Sequence, residues 1–131
     1  MKDFHLVSQF TKLYAFLAMK ANKMAKSVQS FEMLRDLAYK IGSEDLIVES
    51  YQCLGQTLKM NKDYSNALMS YKKVLFYSWI FNRQEWEIEA INNLGMLYFY
   101  LGDLEKSNNY LKRQTRGVYE APHSGSVSIA R

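Results

Sequence analysis

The chain has 131 residues, 17 basic against 13 acidic for a formal charge of +4, and it is 48% hydrophobic and 15% aromatic. That is one domain or one short repeat array, with too much apolar material for a disordered chain. One proline and six glycines supply too few turns for an all-β sandwich, so the composition points to long helices.

Functional classes narrow on the same grounds. Cys53 is the single cysteine and His5 and His123 lie near opposite ends, which excludes a disulfide framework, a multi-cysteine zinc site and a local histidine metal motif. Residues Met1 to His5 lack a signal-peptide pattern, and the apolar runs Val74 to Phe76 and Met96 to Leu101 fall far short of the roughly 18 residues that span a bilayer. An intracellular, cytoplasmic protein without membrane contact is expected, with no cofactor, metal or small-molecule substrate.

Three units follow in chain order. The first, about 4–42, is anchored by Tyr14 and Ala15, with Ala18, Ser27, Phe31 and Leu34 behind them, and closes at Gly42-Ser43. In the second, about 43–82, Val48, Tyr51, Leu54, Gly55 and Leu58 recur at the spacing of one helix face. Asn61-Lys62-Asp63 breaks that pattern with turn-prone side chains. A second run follows through Ala67, Tyr71 and Val74, and Asn82-Arg83 ends it. In the third, about 83–118, Leu94, Gly95 and Tyr98 precede Gly102-Asp103, and Ser107 and Leu111 come after. There the glycine suits a left-handed helix end and the aspartate suits a cap. Six helices of roughly 15 to 18 residues result, each about 22 to 27 Å long.

These units share one register. Ala15, Gly55 and Gly95 stand forty residues apart, as do Ser27, Ala67 and Ser107, and then Phe31, Tyr71 and Leu111. Glycine inside a helix costs roughly 0.5 to 1 kcal/mol against alanine, so two at one register argue for close packing of paired helices. Tyr14, Leu54, Leu94 and Tyr98 complete the expected packing set. A pair this short cannot bury its apolar stripes alone and must stack on the next.

This spacing resembles the tetratricopeptide repeat, carried by Tyr51, Leu54-Gly55, Leu58, Ala67 and Tyr71, and again by Ile91, Leu94-Gly95, Tyr98, Ser107 and Leu111. The unit is 40 residues rather than the usual 34, like the long-helix repeats of Leu-Gly-Asn-type adaptors and kinesin light chains. The likeness covers roughly Phe4 to Arg116 and is degenerate in the first unit. It implies an all-α, right-handed solenoid of three stacked helix pairs, and a protein-binding scaffold rather than an enzyme.

The resemblance further implies that the first helix of each pair lines a concave groove. Mapped onto this chain, the groove takes Lys12, Phe16 and Met19, then Glu49, Gln52, Gln56 and Lys59, then Glu89, Asn92, Met96 and Phe99. Only Lys12 fits a clamp for a peptide carboxylate, so that mode is not expected. Phe16, Met96 and Phe99 are the expected anchors for a peptide or helix.

Three other features are weighed against blander readings. Cys53 has no histidine near it in sequence and reads as a small buried residue rather than a nucleophile. Glu85, Glu87 and Glu89 read as a solvated helix start, where negative charge suits the dipole. Lys72-Lys73 and Lys112-Arg113 share a register and read as a solubilising stripe, with RNA or acidic protein tails as the distant alternative.

The tail, residues 119–131, includes Pro122 and a Ser-Gly-Ser stretch and reads as flexible or ordered only by a partner. The expected role is a scaffold subunit built into a multi-subunit assembly, cytoskeletal or ciliary as the leading setting, docking through its uncapped end and tail. The alternative is a soluble adaptor that binds a peptide reversibly in the groove. Nucleic acid is not expected as a partner.

Overall fold

A computed structural model describes residues 3–119, with side chains described through residue 113. Six helices follow one another: α1 (Phe4–Lys20), α2 (Met24–Ile41), α3 (Glu44–Met60), α4 (Tyr64–Ile80), α5 (Gln84–Tyr100) and α6 (Leu104–Tyr119). Among the described residues there is no strand, and no described helix is long and apolar enough to cross a membrane. Helix α6 runs through Tyr119, and the expectation for the rest of the tail falls outside the described residues.

The five turns share one construction. Asn22, Gly42, Lys62, Asn82 and Gly102, each twenty residues from the last, have φ between 61° and 87°. The next residue's N–H then reaches back to the carbonyl five positions earlier. The bonds are Lys23 to Ala18 at 2.8 Å, Ser43 to Ala38 at 3.1 Å, Asp63 to Leu58 at 2.9 Å, Arg83 to Ser78 at 2.7 Å and Asp103 to Tyr98 at 2.9 Å. This is the Schellman geometry, which satisfies carbonyls left over at a helix end.

Helix starts are less uniform. Side chains of Asp3, Ser43, Asp63 and Asp103 accept from the backbone N–H three residues on, at 3.1, 3.3, 3.4 and 3.1 Å. Lys23 and Arg83 hold the same place ahead of α2 and α5 without a side-chain cap bond.

The residues group into two compact units, one ending at Ser70 and the other beginning at Tyr71, inside α4. In the first, α2 packs against both α1 and α3. The buried Ser27 hydroxyl donates to the Ala15 carbonyl at 2.9 Å. Around it Ala15, Phe31, Leu34, Ala38 and Val48 are fully buried, and Leu54 nearly so. Each such leucine or phenylalanine contributes about 1.5 to 3 kcal/mol by leaving water. Tyr39 and Tyr51 join α2 to α3, their hydroxyls 2.8 Å apart and their rings edge to face at 6.3 Å.

In the second unit α5 and α6 pair the same way. The Ser107 hydroxyl donates to the Gly95 carbonyl at 2.8 Å. A Cβ added at Gly95 would meet Leu111 Cδ2 at 2.8 Å and Cγ at 2.9 Å, closer than carbon atoms pack. Here the glycine is a packing requirement. Tyr71, Val74, Ala90 and Leu94 are buried beside it.

Two side chains depart from the sequence reading. Tyr14, expected to pack as Leu54 and Leu94 do, is 52% exposed against their 2% and 0%. Among the described residues no helix precedes α1 to cover that face. Glu87, expected to be solvated, is 2% exposed, because it holds the inward register that Ile47 holds in α3. Glu85 and Glu89 are exposed, as a helix start of that kind requires.

Candidate partner-binding surfaces

The expected groove residues are described within each unit. In the first, Lys12 and Glu49 form an ion pair at 2.5 Å, so Lys12 already has a carboxylate partner within the chain. The pair borders a cleft of about 270 Å³, which His5, Gln9, Asp45 and Leu46 also line. Phe16 is half-buried and sets its ring edge-on to Phe31 at 5.2 Å, so part of the ring is taken up by the α1–α2 pair. Met19 is half-buried, with its sulfur 3.5 Å from the Thr57 hydroxyl, which donates to the Cys53 carbonyl at 2.8 Å. Gln52 is half-buried, and Gln56 and Lys59 are exposed.

In the second unit Glu89 is exposed and Asn92 half-buried. Met96 and Phe99 lie one turn apart on α5 and are 53% and 60% exposed. Tyr98 between them is buried and Tyr100 is exposed. Three consecutive aromatics span about 200° of a helix, so they cannot all face inward.

The second unit also holds an arrangement that the sequence did not indicate. Tyr98 and Tyr110 stack at 5.7 Å with ring planes 11° apart. Lys72 and Lys106 place their ammonium groups 5.8 and 5.4 Å from the Tyr98 ring, and the Arg113 guanidinium lies 5.3 Å from that of Tyr110. Exposed contacts of this kind are each worth about 0.5 to 1 kcal/mol. A hydrogen bond to Tyr98 holds the Lys72 ammonium above its ordinary pKa, with burial opposing. Lys72 and Arg113 also border a cleft of about 320 Å³ walled by Leu75, Phe76 and Trp79. Two members of the basic stripe thus carry a tyrosine contact, Lys72 while exposed and Arg113 while half-buried.

Cys53 is buried at 6% exposure. Its thiol is pushed up to about 12, mainly by burial, with Glu49 adding and Lys12 opposing. It stays protonated at neutral pH, and a protonated thiol is a poor nucleophile.

Among solved structures the chain is similar to the crystal structure of the TPR domain of Arabidopsis FLU. They are 18% identical, the match covers 89% of this chain and 98% of that one, and the TM-score is 0.75. The fold is thus all-α and of tetratricopeptide-repeat type. No family model and no curated protein matches the chain.

Proposed function

We propose that the chain is a non-enzymatic protein-interaction scaffold, built as a subunit into a larger assembly. The observation that carries this reading is apolar surface exposed in more than one place. Leu6, Phe10, Leu13 and Leu17 on α1 are 48% to 63% exposed, and Tyr100, Leu101 and Leu104 at the α5–α6 turn are 44% to 68% exposed. Patches of this kind, larger than scattered single residues, mark protein contacts. The tetratricopeptide fold and the 40-residue unit support it, and a cytoskeletal or ciliary assembly is the setting to search first.

A second reading is favoured by Met96 and Phe99 alone. They form an exposed apolar step on the side of α5 that the repeat pattern assigns to a groove, suited to anchoring a peptide or helix. Affinity capture from native cells separates the two readings. The comparison is wild type against a Met96→Glu, Phe99→Glu variant, with circular dichroism as the check on folding. Recovery of a stoichiometric set of proteins, unchanged in the variant, is the expected outcome for a built-in subunit. Loss of one defined partner with the fold intact would replace that reading with the groove adaptor.

A further inference from the structure

We propose that the outer face of α1 is a self-association surface, on which α1 of a second copy of this chain lies antiparallel. The face consists of Leu6, Val7, Phe10, Leu13, Tyr14 and Leu17, each 46% to 63% exposed. In α3 the same register is Leu46, Ile47, Ser50, Cys53, Leu54 and Thr57, of which the last five are buried. In the first unit, therefore, this helix face is one that other helices cover. On α1 no described residue covers it.

The residue types say what kind of cover fits. Where α3 and α5 carry Ser50 and Ala90, both fully buried, α1 carries Phe10. A preceding repeat packed with the internal geometry would leave no room for that ring. Leu13 stands likewise in the register of Cys53. A partner helix at wider spacing accepts these side chains, and Leu6, Phe10, Leu13 and Leu17 supply the alternating four- and three-residue steps of a two-helix seam.

The seam is also self-complementary. An antiparallel pairing centred between Thr11 and Lys12 sets Leu6 against Leu17 and Phe10 against Leu13. It sets Asp3, just before the helix, against Lys20 in its last turn. Both ends of the seam then place an acid opposite a base, and Val7 and Tyr14 flank its centre. A parallel pairing would set Asp3 against Asp3 and Lys20 against Lys20. Two such faces cover on the order of 1,000 Å² in total, at the lower edge of specific interfaces, so association in the micromolar range is the expected strength.

Sedimentation equilibrium of the full chain tests this directly. Twice the chain mass is expected at concentrations of about 100 μM, falling to one chain mass in Leu13→Glu with the circular dichroism spectrum unchanged, since that side chain is exposed. Geometry is read from cysteine cross-links, with the buried Cys53 left in place. A mixture of Leu6→Cys and Leu17→Cys chains should form a mixed disulfide under mild oxidation. Neither variant alone should, because like positions would sit about 16 Å apart at 1.5 Å per residue, beyond the reach of a disulfide. A wild-type monomer throughout that range overturns the proposal. So does a dimer that survives Leu13→Glu, or efficient Leu6→Cys self-linking.

Discussion

The Ser107 hydroxyl donates to the Gly95 carbonyl at 2.8 Å, and Ser27 does the same to Ala15 at 2.9 Å, twelve residues back in each case. The bond crosses between paired helices at the point where one of them has the smallest residue of its turn. It does two things. It satisfies a buried hydroxyl, worth about 1 kcal/mol net, and it pins the rotation of one helix on the other. Ala67 holds the same register in the second repeat and is fully buried without a hydroxyl, so close approach, rather than the bond, is the common requirement.

Close approach is what Gly95→Ala would remove. The added methyl meets Leu111 at both Cγ and Cδ2, so the branch of the leucine must move rather than only its tip. Overpacking of this kind costs about 1 to 3 kcal/mol, against about 0.5 to 1 kcal/mol gained in helix propensity. Denaturant melts should show a net loss. Combining the change with Leu111→Ala should show a favourable coupling between the two positions, which additive losses would contradict.

Lys62 pays a conformational penalty that its two glycine counterparts avoid. Its φ is 61°, in the left-handed region where a side chain crowds the following carbonyl. Lys62→Gly should stabilise the chain by about 1 kcal/mol, read as a rise in the urea midpoint at unchanged slope. Gly102→Ala, at φ 87° with open space around it, should lose a similar amount through backbone strain alone.

Lys23, the residue ahead of α2, supplies no side-chain cap, whereas Asp63 and Asp103 supply one at the corresponding places. Lys23→Asp should add about 1 kcal/mol by bonding an orphan N–H and by placing negative charge at the positive end of the helix dipole. Lys23→Ala should leave stability nearly unchanged. Thermal melts of the two variants together separate capping from simple loss of the lysine.

Cys53 makes stability depend on alkaline pH. Its folded-state pKa, about 12, lies above the roughly 8.5 of a free thiol, so the folded state favours the protonated form. That contribution is complete below about pH 8.5 and is lost as pH rises toward 12. Cys53→Ser should flatten the decline across that window. Thiol labelling of the native wild type at pH 8 should be slow and should accelerate with denaturant, in step with unfolding.

Much of the fold was legible in the sequence because helix signals are local. Gly42-Ser43 and Gly102-Asp103 spell a left-handed stop followed by a cap, and both residues of each pair behave so. Lys62 and Asn82 take the same conformation without glycine, inside the breaks that the turn-prone Asn61-Lys62-Asp63 and Asn82-Arg83 mark in the sequence. The surfaces were less legible. Phe16 and Met96 share one register among the expected groove positions, yet Phe16 is half-buried with its ring against Phe31 and Met96 is 53% exposed.

The forty-residue register by itself determined six helices, their turns and the small residues on which paired helices meet. Helical period, left-handed turn residues and caps act within a few positions of the chain. Tertiary structure alone decided which members of a shared register are covered. Tyr14 is exposed where Leu54 and Leu94 are buried, Glu87 is buried where Glu85 and Glu89 are exposed, and Arg113 is half-buried where Lys73 is exposed. Burial depends on whether another helix lies against that face, and a residue's place in the repeat carries no record of the neighbour across from it.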